Sequence, residues 1–248
     1  ILNANRTYYL TRSQPPFLTS MAKECYKHLP KNAASKQWLK GVLDAAIREY
    51  HGVWRNPKRR TKIDLTRYFD SGLGVPPEVE PGHFDVAFAP YAKKHDMSVK
   101  EFEHAYRSGA IKIPNLDVYF THDRSMRESG HDTSYRLEGC SADLVTVDLN
   151  SLLYKFEMDL SDLLEGEFEG VLSFSPKRVE RSSAWRIRAI HRKFLVEQYL
   201  WNKNKGIFFD YNLARKARTD YVSATTFYPL WAKLATPEQA ALLVKNAL

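Results

Sequence analysis

Carboxylates, arginines and aromatic residues are interleaved in one segment of the chain, residues 127–139 (RESGHDTSYRLEG). Glu128, Asp132 and Glu138 lie here among arginines, and Ser129-Gly130 favours a tight turn just before Asp132. Sugar hydroxyls bind through charge-assisted hydrogen bonds, and cleavage of a glycosidic bond uses two carboxyl groups that flank the bond. The segment is therefore a candidate carbohydrate site. Two alternatives stay open, a solvated loop of alternating charge and, for Asp132 alone, a helix N-cap.

A second segment with the same mixture of side chains is residues 3–17 (NANRTYYLTRSQPPF). It places Asn3, Arg12 and Gln14 around three aromatic residues, directly before a predicted helix. Arginine and amide side chains can donate paired hydrogen bonds to sugar hydroxyls. The alternative is a buried strand at residues 8–10 with the arginines on the surface.

A third segment, residues 65–80 (LTRYFDSGLGVPPEVE), carries Glu78 directly after two prolines. Glycine and proline favour an extended, stiffened loop here, and such loops often carry binding residues. An exposed glutamate without a chemical role is the alternative.

Charge gives one further candidate surface. Lysine and arginine number 37 and aspartate and glutamate 29, so the net charge is 37 − 29 = +8. The basic run at residues 54–62 (WRNPKRRTK) includes Trp54 and is the best candidate for nucleic-acid binding. A solvated loop is favoured, because the remaining basic residues are spread among acids. We therefore expect no nucleic-acid partner.

Several classes of protein are excluded by missing sequence features. A 248-residue chain with 44% hydrophobic residues is neither disordered nor fibrous. No apolar run approaches 18 residues and no signal sequence is visible, which predicts a cytoplasmic protein without membrane attachment. Dinucleotide, P-loop and zinc-protease motifs are missing and the two cysteines lack metal-ligand spacing, so we expect no cofactor and no metal.

The elements that must position these residues are mostly helices. Periodicity and capping signals predict helices that begin near residues 17, 35, 98, 144, 182, 223 and 236. In the first, Phe17, Met21 and Cys25 form the apolar stripe. Residues 53–97 and 114–141 are predicted to be irregular, with one short strand at 118–120. Paired helices whose loops carry the polar residues suit a toroid, although a bundle or solenoid fits the periodicity equally well.

The chain resembles the trehalases of glycoside hydrolase family 37, in particular the fungal neutral trehalases. The resemblance is carried by NRTYYLTRSQPPF, RYFDSGLGVPPE and ESGHDTSYRLEG, and it extends over essentially all 248 residues. Many trehalases have tryptophan where this sequence has His131, and this departure fits the fungal neutral branch.

The resemblance implies a mainly α fold, an (α/α)6 toroid represented here by roughly half of the ring. It implies hydrolysis of α,α-trehalose to two glucose molecules with inversion. Asp132 matches the general acid, which requires a raised pKa that burial and the neighbouring Glu128 would supply. The residues matched to substrate binding are Asn3, Arg12, Ser13, Gln14, Glu78, Arg127 and Gly130.

The family's second catalytic carboxylate, the general base, lies in a glycine-rich segment that this sequence does not contain. We therefore expect residues 1–248 to be the central part of a single catalytic domain, truncated at both ends and inactive alone. Regulatory protein partners would act through regions outside this chain. The alternatives are another inverting (α/α)6 enzyme that acts on an α-glucoside, and a basic helical binding module.

Overall fold

The computed structural model describes residues 10–77, 79–132 and 134–247. Within these ranges the α-helices are Leu18–Lys27 (α1), Ala33–Glu49 (α2), Asp85–Lys94 (α3), Val99–Arg107 (α4), Pro114–Ser129 (α5), Val147–Phe168 (α6), Ser182–Tyr199 (α7), Tyr228–Trp231 (α8) and Pro237–Ala247 (α9). The described chain separates into two compact units, which consist of residues 14–68 with 143–247 and of residues 10–13 with 69–142. The prediction of a mainly helical chain is confirmed.

The strands are short, and most pair with the next strand in the chain; β1 instead pairs with the distant β6. They are Leu144–Val145 (β1), Val171–Ser175 (β2), Arg178–Arg181 (β3), Trp201–Asn202 (β4), Ile207–Phe208 (β5), Tyr211–Asn212 (β6) and Ala217–Arg218 (β7). All pairs are antiparallel, in the orders β1-β6-β7, β2-β3 and β4-β5. These ribbons lie between helices of the first unit, and Val145, Leu172, Ile207 and Phe208 on them contribute to its buried core.

Helix α6 is the central element of the first unit. It packs against α1, α7 and α8, and it is buried on nearly every side. Its buried polar side chains have partners: Asp148 accepts from the Tyr68 hydroxyl at 3.0 Å, and Asn150 bonds both backbone groups of Thr66. A buried polar group is tolerated only when it is hydrogen-bonded in this way.

The apolar stripe predicted for α1 is wrong. Met21 and Cys25 are exposed. The helix buries Thr19, Ala22 and Tyr26 instead. Hydrogen bonds to α6 accompany the burial of this face: the Tyr26 hydroxyl donates to Glu167 at 2.8 Å, and the Thr19 hydroxyl faces Asp159. Side-chain hydrophobicity alone therefore selects the wrong face.

The second unit contains three helices where the sequence predicted only one. The capping box of α4 is confirmed, since Ser98 and Glu101 bond each other's backbone amides. Helices α3 and α5 lie in segments predicted to be irregular, and residues 118–120 are helical. Aromatic side chains of all three helices fill this unit's core together with Phe84, the residue before α3; those on the helices are Phe88, Phe102, Tyr106 and Phe120. Burial of these rings outweighs the proline inside α3.

Across the described ranges, no helix is both long and apolar enough to cross a membrane.

Candidate active site

Helix α5 carries the side chains that organise the second unit. It begins with Pro114 in its first turn, where a missing N–H costs nothing, and it ends at Gly130, whose φ of 73° lies in the left-handed region. The chain leaves the helix there and reaches Asp132 two residues later. The predicted turn at Ser129-Gly130 is therefore the end of a helix.

Glu128 connects the three segments that the sequence analysis selected. It is fully buried, and its two carboxylate oxygens accept hydrogen bonds from the backbone amides of Ser13 (2.8 Å) and Phe69 (2.7 Å). One further backbone bond, from Ser71 N to Thr11 O at 2.9 Å, joins the segments at residues 3–17 and 65–80 directly. Segments that are far apart in the chain thus meet at one carboxylate.

Arg124, one helical turn before Glu128, binds the segment at residues 65–80. Its Nε donates to the carbonyl oxygen of Gly74 at 2.7 Å, and its Nη2 donates to those of Leu73 and Val75 at 2.9 Å each. Its Nη1 lies 3.5 Å from Asp70, and both charged side chains are buried. A planar guanidinium with five donors suits this task, because it can satisfy several carbonyls at fixed angles.

Gly72 leaves room for this arginine. Its amide donates to Asp70 at 2.6 Å, and a Cβ on Gly72 would lie 2.5 Å from Nη1 of Arg124. We call residues 70–75 together with Arg124 the arginine clamp. The clamp fixes the chain directly before Glu78, which lies outside the described residues.

Asp132 is exposed in this structure, so the expected burial is not seen here, and its role as general acid stays a prediction. The carboxylate of the neighbouring Glu128 accepts hydrogen bonds from two backbone amides. Around Asp132, His131 donates its amide to Ser129 Oγ at 3.0 Å and Ser134 donates its amide to His131 O at 3.2 Å. Asp132 therefore lies at the surface of the second unit, next to backbone groups held by these two hydrogen bonds.

Arg127 faces a cavity of about 280 Å³ in the second unit. Its Nε donates to Asp123 at 2.8 Å, its Nη2 lies 3.2 Å from His83 Nε2, and its guanidinium is 5.8 Å from the Phe84 ring. Burial raises the pKa of Tyr119 in the same wall, and Asp123 adds to the effect. Aromatic faces beside charged hydrogen-bonding groups are the features that a sugar site needs.

The remaining predicted residues are placed less closely together. Arg12 and Ser13 are half-buried in the second unit, whereas Gln14 is exposed and belongs to the first. Asn3 lies outside the described residues, as does Glu78. The structure thus brings Arg12, Ser13, Arg127, Gly130 and Asp132 into one unit, and their direct contact with a substrate stays a prediction.

Sequence reasoning missed Arg124 and Asp70, and it did not predict that Glu128 accepts hydrogen bonds from two backbone amides. The signal was present in the proline at 114 and the glycine at 130, which mark the two ends of a helix. In the described parts of the chain, no group of three or more histidine, cysteine or acidic side chains is placed to hold a metal ion.

Comparison with solved structures defines the class of fold. The chain superimposes along its whole length on neutral trehalase Nth1 from Saccharomyces cerevisiae, with a TM-score of 0.94, 47% identity and 46% of that chain covered. A mannosylglycerate hydrolase from Thermus thermophilus matches with a TM-score of 0.52 and 16% identity over 95% of this chain and 51% of the other, which shows the fold alone. The prediction of a helical, toroid-type glycosidase fold is confirmed.

Comparison of sequences then gives the family. The family model described as trehalase matches residues 1–248, and the chain belongs to the trehalase family. It is 48% identical over 258 residues to the cytosolic neutral trehalase of Pyricularia oryzae and 48% identical over 255 residues to that of Saccharomyces cerevisiae. All of this chain is covered in both comparisons, but only 35% and 34% of those proteins, so the chain spans about a third of the curated relatives it matches.

Proposed function

We propose that the complete polypeptide containing residues 1–248 hydrolyses α,α-trehalose to two glucose molecules. The observation that carries the proposal is the convergence of three sequence segments at Glu128, in a chain that belongs to the trehalase family. Relatives with 47–48% identity over the whole chain are named neutral trehalases, which supports trehalose as the substrate. These relatives are also named cytosolic, which supports a cytoplasmic location.

In the proposed reaction Asp132 is the general acid. Its carboxyl donates a proton to the oxygen between the two sugars while the glycosidic bond breaks through a state with oxocarbenium character. Because Asp132 is exposed in this structure, the bound disaccharide itself would have to exclude water and raise the pKa of the carboxyl. We further propose an inverting mechanism, in which a second carboxylate 6.5–9.5 Å away activates water.

Substrate positioning falls to side chains around Asp132. Arg12, Ser13 and Arg127 would donate hydrogen bonds to sugar hydroxyls, and Gln14, Asn3 and Glu78 would complete the site. Gly130 contributes through its left-handed backbone, which directs the chain toward Asp132. We propose that both units belong to one catalytic domain whose general base lies outside residues 1–248. The segment alone would then lack hydrolytic activity.

The test is Asp132→Asn in the complete polypeptide, with glucose release from trehalose as the assay. Loss of a general acid lowers kcat by about 10²–10⁴, whereas an amide of the same shape preserves trehalose binding, measured by calorimetry. The matched control is Asp220→Asn, an exposed aspartate of the first unit that should leave kcat unchanged. Turnover at the wild-type rate in Asp132→Asn would refute the assignment, and activity on maltose in place of trehalose would refute the substrate.

A further inference from the structure

The first unit contains a second cavity, of about 390 Å³, that the proposed hydrolysis does not use. Its walls come from the chain after α2, the loop at residues 55–64, α6 and α7. The lining residues are Tyr50, His51, Arg55, Asp64, Glu157, Ile187, Arg188, His191 and Arg192. Five of these carry a positive charge or can acquire one, and two are acidic.

The charged side chains at the floor of the cavity compensate each other. Arg192 and Glu157 form a buried ion pair at 2.7 Å, and the Tyr50 hydroxyl donates to the same carboxylate at 2.6 Å. Burial acts to lower the pKa of Arg192, but the adjacent Glu157 outweighs it and raises the pKa. Neither charge of this pair is free for a ligand.

The rim has more cations than anions. One carboxylate, Asp64, accepts from Arg55 at 3.1 Å and from Arg60 at 2.6 Å, and it also lies 3.1 Å from His191 Nε2. Three basic side chains therefore share a single negative charge, and the potential around them is positive.

Among the described residues, Arg188 is an arginine of this rim that forms no ion pair with a carboxylate. Its guanidinium lies 4.5 Å from the Trp185 ring and 5.9 Å from the Tyr50 ring, and its buried Nη1 has no hydrogen bond in the described part of the chain. Stacking on an indole orients a guanidinium and leaves its edge for a planar or tetrahedral oxyanion. His51 is adjacent: burial lowers the pKa of its imidazole, and Arg188 lowers it further.

We propose that this cavity is an oxyanion site in which Arg188 supplies the principal charge-assisted hydrogen bonds, with Arg55 and the two histidines around it. The site does not depend on the proposed hydrolysis. The volume is ample for one phosphate group with several waters, since a water molecule occupies about 30 Å³. The oxyanion belongs either to a free phosphate compound or to a carboxylate side chain from polypeptide outside residues 1–248.

The experiment titrates the complete polypeptide with inorganic phosphate by calorimetry, at constant ionic strength maintained with chloride. Wild-type protein is compared with Arg188→Met and with the control Arg186→Met, which removes an exposed arginine of the same helix that pairs with Asp162. Both variants lose one charge, but only the first loses the guanidinium in the cavity. We expect phosphate binding that Arg188→Met weakens about tenfold or more and Arg186→Met leaves within about twofold.

Thermal unfolding of the same variants distinguishes the two sources of the oxyanion. If phosphate does not bind, but Arg188→Met lowers Tm by several degrees more than Arg186→Met and the difference becomes smaller as salt is raised, a carboxylate of the polypeptide occupies the site; a difference that does not depend on salt reflects only the lost stacking on Trp185 and overturns the proposal. The proposal is overturned if neither effect is seen, or if phosphate binds equally well to wild-type protein and Arg188→Met.

Discussion

The substitution Gly72→Ala tests the arginine clamp most directly. The new Cβ would lie 2.5 Å from Nη1 of Arg124, 3.0 Å from its Cζ and 3.0 Å from Oδ1 of Asp70. Real Cβ contacts do not approach 2.5 Å, so the guanidinium or the loop must move. The guanidinium cannot withdraw alone, because Nε and Nη2 are bonded to three carbonyl oxygens on the same loop.

The size of the effect follows from these contacts. A hydrogen bond that involves a charged group contributes about 1.5–3 kcal/mol, and overpacking of a filled site costs about 1–3 kcal/mol. Displacement of the guanidinium weakens one or two of its bonds, so we expect Gly72→Ala to lower the free energy of unfolding by about 2–4 kcal/mol. Because the clamp holds the chain before Glu78, kcat/KM for trehalose should fall as well.

The assay combines chemical unfolding with trehalose kinetics in the complete polypeptide. The matched control is Gly41→Ala on α2, where a Cβ would meet nothing within 4 Å and alanine favours the helix. Gly41→Ala should therefore be neutral or stabilising by about 0.5–1 kcal/mol.

A double variant makes the reasoning refutable. In an Arg124→Met background the guanidinium is gone, so Gly72→Ala should add much less than it does alone. Strict additivity of the two substitutions, or wild-type stability in Gly72→Ala, would show that the clamp does not act as described.

Two further predictions concern buried and titratable groups. Glu128→Gln replaces one acceptor oxygen with an NH₂ group that faces a backbone amide, so it should reduce stability by about 2–4 kcal/mol. The control Glu103→Gln, at a half-buried position of α4 where the carboxylate pairs with Arg107, should cost less than about 1 kcal/mol, and equal costs would contradict the role of Glu128. Burial and Arg188 lower the pKa of His51 below its usual 6.5 in the folded protein, so the unfolded chain binds the proton more tightly, and stability is lost as pH falls from about 6.5 toward the folded pKa. His51→Gln should reduce this acid-side loss in urea unfolding at pH 5 to 8. Exposed His104→Gln should not, and an unchanged slope in His51→Gln would refute the assignment. The charged groups around His51 in this comparison are Arg188, Glu180, Arg55 and Arg178.

The parts of the fold that the sequence predicted are those with local signals. The capping boxes at Ser98 and Thr236 mark helix starts because both partners lie within four residues, and both boxes are present in the structure. Helix α5 is not predicted because most of its residues are polar. Three of these polar residues, Asp123, Arg124 and Glu128, are buried by tertiary contacts. A hydrophobic pattern cannot identify a helix whose buried face is charged and paired.

The site shows the same limit. Motif spacing selected Glu128 as a charged neighbour of the acid, but its two backbone partners are 115 and 59 residues away in the chain. The clamp around Arg124 depends on carbonyl groups, which every residue has and no sequence pattern reveals. Residue types suited to a sugar site could therefore be identified from the sequence. The backbone groups that hold Glu128 and Arg124 in place could be identified only from the structure.

The bonds of Glu128 also bear on the order in which the protein folds. Contacts that close loops of 115 and 59 residues carry a large entropic cost before they become favourable, so they form late and slow folding. On a ribosome, Ser13 and Phe69 would emerge well before the helix that supplies their acceptor, and both amides would remain bonded to water until then. The turn that holds Asp132 would consequently be among the last parts of this unit to acquire its native geometry.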